Sequence, residues 1–286
     1  MRQARPSRRP YPFPAHRRLQ APVLITSSTV TNPPIGKAMT QDTIHIVLQG
    51  KGGVGKSLIA SLIAQSITDN GRPLLAIDTD PVNQTLARYQ ALNVCTLPLL
   101  DRERQVNSRA IDDMIEWLLA HDGDSVVDNG ATSFIPVTGY LAETGALAVL
   151  RDVGKQVLLH SVLVGGQAME DTLAGLSALL ASTDAPVVVW LNEFFGPVER
   201  EGRSFTESSL YLKYRARIAG VVTLQRRNSE TYGRDLALMT EKALTFEQAL
   251  KHEAFGTMPR HRLWQIREDV SRQLQPLLNP PQAAAA

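Results

Sequence analysis

Ile44-His45-Ile46-Val47-Leu48-Gln49-Gly50-Lys51-Gly52-Gly53-Val54-Gly55-Lys56-Ser57 is the stretch that decides the fold. Its first five residues form a short apolar strand, and Gly50 to Ser57 satisfies the pattern G-x-x-x-x-G-K-[ST]. Glycines let the backbone turn tightly and aim successive N–H groups at phosphate oxygens. A helix opens at Lys56 and adds the positive end of its dipole. Its apolar positions Ile59, Leu62, Ile63 and Ile67 recur at helical spacing over residues 56–69. The chemistry expected here is nucleotide binding. ATP would sit on Gly50, Lys51, Gly52, Gly53, Val54, Gly55, Lys56, Ser57 and Leu58, with Lys56 spanning the β- and γ-phosphates and Ser57 ligating Mg²⁺.

Outward from this loop, apolar strands alternate with amphipathic helices. PLLAI at 73–77 is a second buried strand ending in Asp78, and SVV at 125–127 is another ending in Asp128. Further strands are expected at 156–164, at 186–191 ending in Asn192, and at 218–224. Helices are expected at 108–120, 167–182, near 231–250 and at 260–278. This alternation predicts an α/β fold with a mainly parallel central sheet flanked by helices. Polar residues and glycines cluster at the carboxyl ends of the strands, where such sheets bind ligands. Residues 42–279 read as one domain, and 280–286 as a disordered tail.

The strand ends carry the other candidate groups. Asp78-Thr79-Asp80-Pro81 places two carboxylates at i and i+2 just past a strand, where such a group can position or deprotonate attacking water. Asp128 fits a carboxylate that holds Mg²⁺ through a water, and Asn129-Gly130-Ala131 beside it would sense the γ-phosphate. His45 and His160 lie within apolar strands and read as core residues, and Cys95 reads as a small apolar filler.

KGGVGKS, with a second lysine at Lys51, resembles the deviant Walker A loop of the ParA/MinD family of ATPases. The resemblance implies an ATP-dependent homodimer in which Lys51 reaches the partner's nucleotide. It assigns Asp80 to the water, Asp78 to the loop or the Mg²⁺ shell, and Asn192 to the adenine edge. Relatives often continue DPQ-x-N. Here the sequence is DPVNQ, which leaves Asn83 and Gln84 as alternatives for the nucleotide contact. Five blocks, IHIVLQGKGGVGKS, AIDTDPVNQT, VVDNGATSFIPV, VVVWLN with EGRSF, and ETYGRD with LTFEQAL, further resemble the TraL family of conjugal-transfer proteins. That resemblance implies a cytoplasmic bacterial protein associated with the type IV secretion apparatus. A switch ATPase of this kind is expected to turn over slowly and under partner stimulation, because its bound state must persist. Two alternatives are a partition or positioning ATPase that binds DNA or membrane, and an ATP-dependent synthetase. Relatives that bridge subunits through paired cysteines are disfavoured by the single Cys95.

Charge bears on these alternatives. The 286 residues carry 30 Lys and Arg against 28 Asp and Glu, a net +2. Arg2, Arg5, Arg8, Arg9, Arg17, Arg18 and Lys37 all precede the first acid, Asp42, and without them 23 bases face 28 acids, a net −5. The basic balance therefore belongs to residues 1–41, whose seven prolines break any helix. This segment reads as a disordered extension in preference to a basic arm or a transit peptide, and Met39 is a candidate translation start. A net-acidic remainder argues against strong non-specific DNA affinity. Arg226-Arg227 with Arg260 and Arg262 is the candidate DNA patch. The apolar stripe Leu263, Ile266, Val270, Leu274 and Leu277 is the candidate membrane face, though a last helix more often packs on its sheet.

Overall fold

The computed structural model describes residues 41–81, 83–100 and 107–279, all in the compact unit that begins at Thr40. The basic extension up to residue 40 and the tail at 280–286 lie outside the described residues.

Seven parallel strands form the central sheet. They are β1 (Thr43–Val47), β2 (Leu74–Asp78), β3 (Cys95–Thr96), β4 (Asp124–Asp128), β5 (Gln156–Val164), β6 (Val187–Asn192) and, after a small hairpin of β7 (Glu199–Arg200) with β8 (Arg203–Ser204), β9 (Ile218–Leu224). The order across the sheet is β3-β2-β4-β1-β5-β6-β9, and every pairing within it is parallel. Parallel strands need crossovers, and the helices supply them on both faces. On one face lie α2 (Ser108–Ala120), α3 (Phe134–Thr144), α4 (Ala146–Asp152) and α5 (Met169–Ser182), packed on Ile44, Ile46 and Leu48. On the other lie α1 (Lys56–Asp69), α7 (Arg234–Glu241), α8 (Phe246–Lys251) and α9 (Thr257–Leu278), packed on Val47, Leu158 and Trp190. A short α6 (Ser209–Tyr214) precedes β9.

Several elements differ from their sequence expectation. The helix expected near 231–250 is two helices, because Ala243 adopts φ +49° and Thr245 with Gln248 forms a capping box that starts α8. Residues 131–152, unassigned by periodicity, hold α3 and α4, separated at Gly145 with φ +67°. Cys95 is exposed on the edge strand β3, so it is no core filler.

The candidate membrane stripe is core. Leu263, Ile266, Val270, Leu274 and Leu278 of α9 are buried, and Leu277 is half-buried against Gly220. Lifting α9 onto a bilayer would bare to water the apolar surface of β9, α1 and α8 that this stripe covers. No single helix among the described residues is long and apolar enough to cross a membrane.

The two strand histidines lie in the core, in a chain across three strands. Trp190 Nε1 donates to His160 Nδ1 at 2.9 Å, which places the His160 proton on Nε2, 2.9 Å from His45 Nδ1. His45 then carries its proton on Nε2, which is buried without a hydrogen-bond partner. Burial pushes the His45 pKa down to about 3, with the Arg72 charge adding to the effect, and His160 is held well below its usual value by burial and then by His45. An unfolded imidazole titrates near 6.5. Above that pH both states are neutral and the stabilisation is complete. Below it the unfolded chain takes protons that the folded chain refuses, so stability is lost as pH falls toward the folded values. Relative to a His45→Gln variant, the parent's unfolding free energy should drop by up to about 1.4 kcal/mol per pH unit between about pH 6 and pH 4.5. Urea titrations across that range measure it, and parallel profiles for the two proteins would refute the account.

Candidate functional site

β1 delivers the chain into the glycine-rich loop, where Gly53 (φ +74°) and Gly55 (φ +99°) take left-handed conformations that side chains resist. Gly55 is the N-cap of α1, and no carboxylate stands in the first turn of that helix. Its free N–H groups therefore have no acidic competitor from their own first turn and are available to an anion. Lys56 is buried and donates from Nζ to Lys51 O at 2.8 Å. Burial lowers its pKa, and the charges of Asp128 and then Asp80 work in the opposite direction. Phe134 closes the loop from below: a Cβ on Gly50 would stand 3.1 Å from its ring.

The carboxylates gather where β2 and β4 end beside β1. Asp78 is buried, and burial raises its pKa, but its Oδ1 accepts from Asp80 N at 3.0 Å and its Oδ2 from Ala87 N at 3.0 Å. Both oxygens thus brace the loop after β2. These amides use only part of the acceptor capacity of the carboxylate. Asp80 accepts from Asn83 N at 3.2 Å and from Asn83 Nδ2 at 3.1 Å, so Asn83 orients this carboxylate. Gln84 sits at φ +42° in the same turn. Asp80 also abuts the segment after β4: a Cβ on Gly130 would lie 3.0 Å from Asp80 Cγ. Thr79 clamps the strands together, donating from Oγ1 to Asp128 O and to Asn129 Oδ1, both at 3.0 Å, and Asn129 Nδ2 donates to Val47 O at 3.2 Å.

Asp128 is the exceptional group. It is buried, and neither carboxylate oxygen has a hydrogen bond of full geometry. Burial raises its pKa to about 7. The Ser57 hydroxyl and Lys56 pull it down, while Asp78 and Asp80 push it further up. A buried carboxylate beside a serine hydroxyl at a phosphate loop is a donor set of hard oxygens, which fits Mg²⁺.

Asn192 stands at the end of β6 with its amide largely engaged. Nδ2 donates to Val54 O at 3.0 Å and Oδ1 accepts from Phe194 N at 3.2 Å, which leaves one N–H and one lone pair. Beyond it opens a cavity of about 790 Å³ whose walls include Gly53, Leu58, Phe194 and Tyr232. Ser229–Gly233, from the ETYGRD block, is a short π turn on its rim, capped by the Asn228 side chain. In the candidate DNA patch, Arg227 and Arg262 come together over the Tyr232 ring, 5.1 and 6.0 Å from its centroid, but their charges are engaged locally. Arg227 pairs with Asp269 at 3.1 Å, Arg262 pairs with Asp235 at 2.6 Å, Arg260 donates to His252 O, and Arg226 faces the cavity.

Sequence reasoning missed Thr79, Gln49 and Asp171. Gln49 carried a signal, being a buried polar residue at the end of an apolar run. Asp171 carried none, since it meets Lys51 from 120 residues away.

Residues 45–239 match the family described as the CobQ/CobB/MinD/ParA nucleotide binding domain. Two Escherichia coli proteins named TraL are similar to this chain. One is 43% identical over 81% of this chain and 96% of its own length. The other is 42% identical over 81% and 97%. Among solved structures, the Aquifex aeolicus MinC:MinD cell division protein complex is 16% identical, with a TM-score of 0.44 over 82% of this chain and 95% of that one. The septum site-determining protein MinD of Pyrococcus horikoshii OT3, complexed with Mg-ADP, is 15% identical, with a TM-score of 0.44 over 84% and 100%. The fold assignment rests on strand order, loop and family match rather than on these scores.

Two glycines separate the roles of space and strain. Gly55→Ala would place Cβ 2.9 Å from Asn192 Nδ2 in a left-handed backbone. It should cost at least about 1–2 kcal/mol of stability and weaken binding of a fluorescent ADP. Gly139→Ala, in open space within α3, should be neutral or stabilise by up to about 1 kcal/mol. Equal melting temperatures for the two variants would contradict this reading.

Proposed function

Because the chain belongs to the CobQ/CobB/MinD/ParA nucleotide-binding family and, within it, to the TraL proteins, we propose that it is a Mg-ATP-dependent dimeric switch ATPase acting in plasmid conjugation. The observation that carries the reading is one arrangement. A glycine loop opens α1 without an acidic competitor, and Lys56 stands over it facing the unsatisfied carboxylate of Asp128.

The roles follow from this arrangement. The loop amides bind the phosphates, and Lys56 exchanges the Lys51 carbonyl for phosphate oxygens. Ser57 and Asp128 hold Mg²⁺, which when bound neutralises charge on the transferring phosphoryl group. Asp78 braces the loop from which Asp80 orients the attacking water, and Asn83 fixes Asp80. Gly130 lets Asp80 approach the segment that senses the γ-phosphate. Asn192 supports Val54 and offers its remaining donor and acceptor to adenine. Lys51 completes the site of a second copy, as an arginine finger does. Turnover is slow and partner-stimulated, because a switch needs its bound state to persist. The type IV secretion apparatus supplies the partner, and the place of action is the bacterial cytoplasm. Residues 42–279 act as one domain.

Light scattering after size exclusion, with and without ATP and Mg²⁺, tests the proposal alongside a pull-down from conjugating cells. The parent should double its mass with ATP and retain a secretion-system partner. Lys56→Ala should lose nucleotide binding by at least about a hundredfold, the scale of removing one charge-assisted contact to phosphate. Lys51→Ala should bind nucleotide yet stay monomeric. If Lys51→Ala dimerised and hydrolysed ATP like the parent, the trans-lysine reading would be wrong.

A further inference from the structure

The phosphate loop is tied to α5 at two points. The buried tie is Gln49, the residue before the loop. Its Nε2 donates to Val162 O at 2.9 Å and to Thr172 O at 3.1 Å. Its Oε1 occupies the space a side chain on Gly175 would need, since a Cβ there would fall 2.1 Å away. A knob in a hole of this depth sets the register of α5 against the end of β1, because close-packed interiors do not slide. The exposed tie is one residue earlier on the same helix. Lys51 Nζ donates to Asp171 Oδ2 at 2.8 Å, with the two side chains 43% and 58% exposed. The neighbouring acid, Glu170, pairs separately with Arg200 of the β7–β8 hairpin at 3.4 Å. Gln49 fixes the backbone of Thr172, so Asp171 is presented to Lys51 by a built platform.

We propose that Asp171 is the resting partner of Lys51, a positioning residue that the lysine must leave before it can complete the phosphate site of a second copy. This rests on the trans-lysine reading above. The ammonium is the only charge Lys51 carries, and on Asp171 that charge is neutralised and directed to its own subunit. Closing a symmetric dimer breaks two such pairs. The cost is small, because exposed pairs hold by a factor of about 1.4 to 5 each. It is nevertheless enough to set how much ATP and protein closure requires.

The test is the dimer dissociation constant by sedimentation with saturating ATP and Mg²⁺, beside the affinity of the monomer for a fluorescent ADP. Asp171→Asn should tighten the dimer by about two- to thirtyfold, two pairs being released, and leave ADP affinity at the parent value. Asp171→Glu should restore the parent dimer constant. Glu170→Gln removes the same charge from the same helix end without touching Lys51, and should change nothing. A dimer unchanged or weakened by Asp171→Asn overturns the proposal, weakening being the sign of a lysine that keeps Asp171 in the closed state. Equal tightening by Glu170→Gln also overturns it, since the effect would then be general repulsion. Lys51→Ala separates the two readings. If that variant dimerises like the parent, or the parent stays monomeric with ATP, the trans-lysine reading falls and this proposal with it. If it stays monomeric while Asp171→Asn is no tighter than the parent, only the resting-partner proposal falls.

Discussion

A parallel sheet covered by helices on both faces has little place for polar groups except the ends of its strands. That constraint organises this molecule. β1, β2, β4 and β6 all point the same way, so Gln49, Asp78, Asp128 and Asn192 arrive at one rim, and each of the four is buried there. Deprived of water, they bond mainly to backbone. Asp78 takes two amides, Gln49 two carbonyls, Asn192 one of each, and Thr79 ties Asp128 O to Asn129. Among these rim groups, Asp128 alone is left without a complete hydrogen bond, beside the phosphate loop, and burial raises its pKa to about 7.

How much of this could be read beforehand follows from the range of each interaction. The loop, α1 and the acidic strand ends are local patterns, in which neighbouring residues state both the element and its chemistry. The division into α7 and α8 was also local. Thr245-Phe246-Glu247-Gln248 is a capping box in plain sight, outweighed by the apolar periodicity on either side. α3 and α4 were hidden because Pro136, Gly139 and Gly145 interrupt their pattern, and packing on Leu147 and Leu150 holds them where propensity does not. The His45–His160–Trp190 chain and the Lys51–Asp171 pair join residues 30 to 120 positions apart. No window of sequence contains such contacts. They exist only once the strand order is known.

The less common sequence blocks acquire positions once that order is known. DNGATSFIPV runs from the Asp128 carboxylate through Gly130, against Asp80, to Phe134, beneath Gly50. The first four residues of ETYGRD lie in the π turn at the cavity rim. EGRSF supplies the turn and second strand of the hairpin whose first strand carries Arg200, which meets Glu170 on α5. LTFEQAL begins α8, where Phe246 N donates to Gln65 Oε1 on α1 at 2.7 Å. DNGATSFIPV touches the loop itself and LTFEQAL touches α1, while ETYGRD shares the cavity wall with Gly53 and Leu58. They are spaced widely along the chain and are close neighbours only around the nucleotide-binding end of the sheet.

Charge shows the same difference between composition and placement. A net +2 over the chain invites a polyanionic partner, yet the bases that produce it precede residue 42, and the remainder is net acidic. Within the fold, Arg227, Arg262 and Arg72 are each paired with a carboxylate and offer little to a distant phosphate. Exposed charges are screened beyond about 8–10 Å at ordinary salt. What an anion meets at the phosphate loop is therefore chiefly the first turn of α1, Lys56 and the state of Lys51, with Arg226 on the cavity wall beyond. With Lys51 held by Asp171, one buried ammonium faces Asp128 and Asp80, with Asp78 close behind Asp128. The local balance is then negative, opposite in sign to the balance of the whole chain. A phosphate is admitted there by directed N–H groups and by whatever positive charge the site gains on binding.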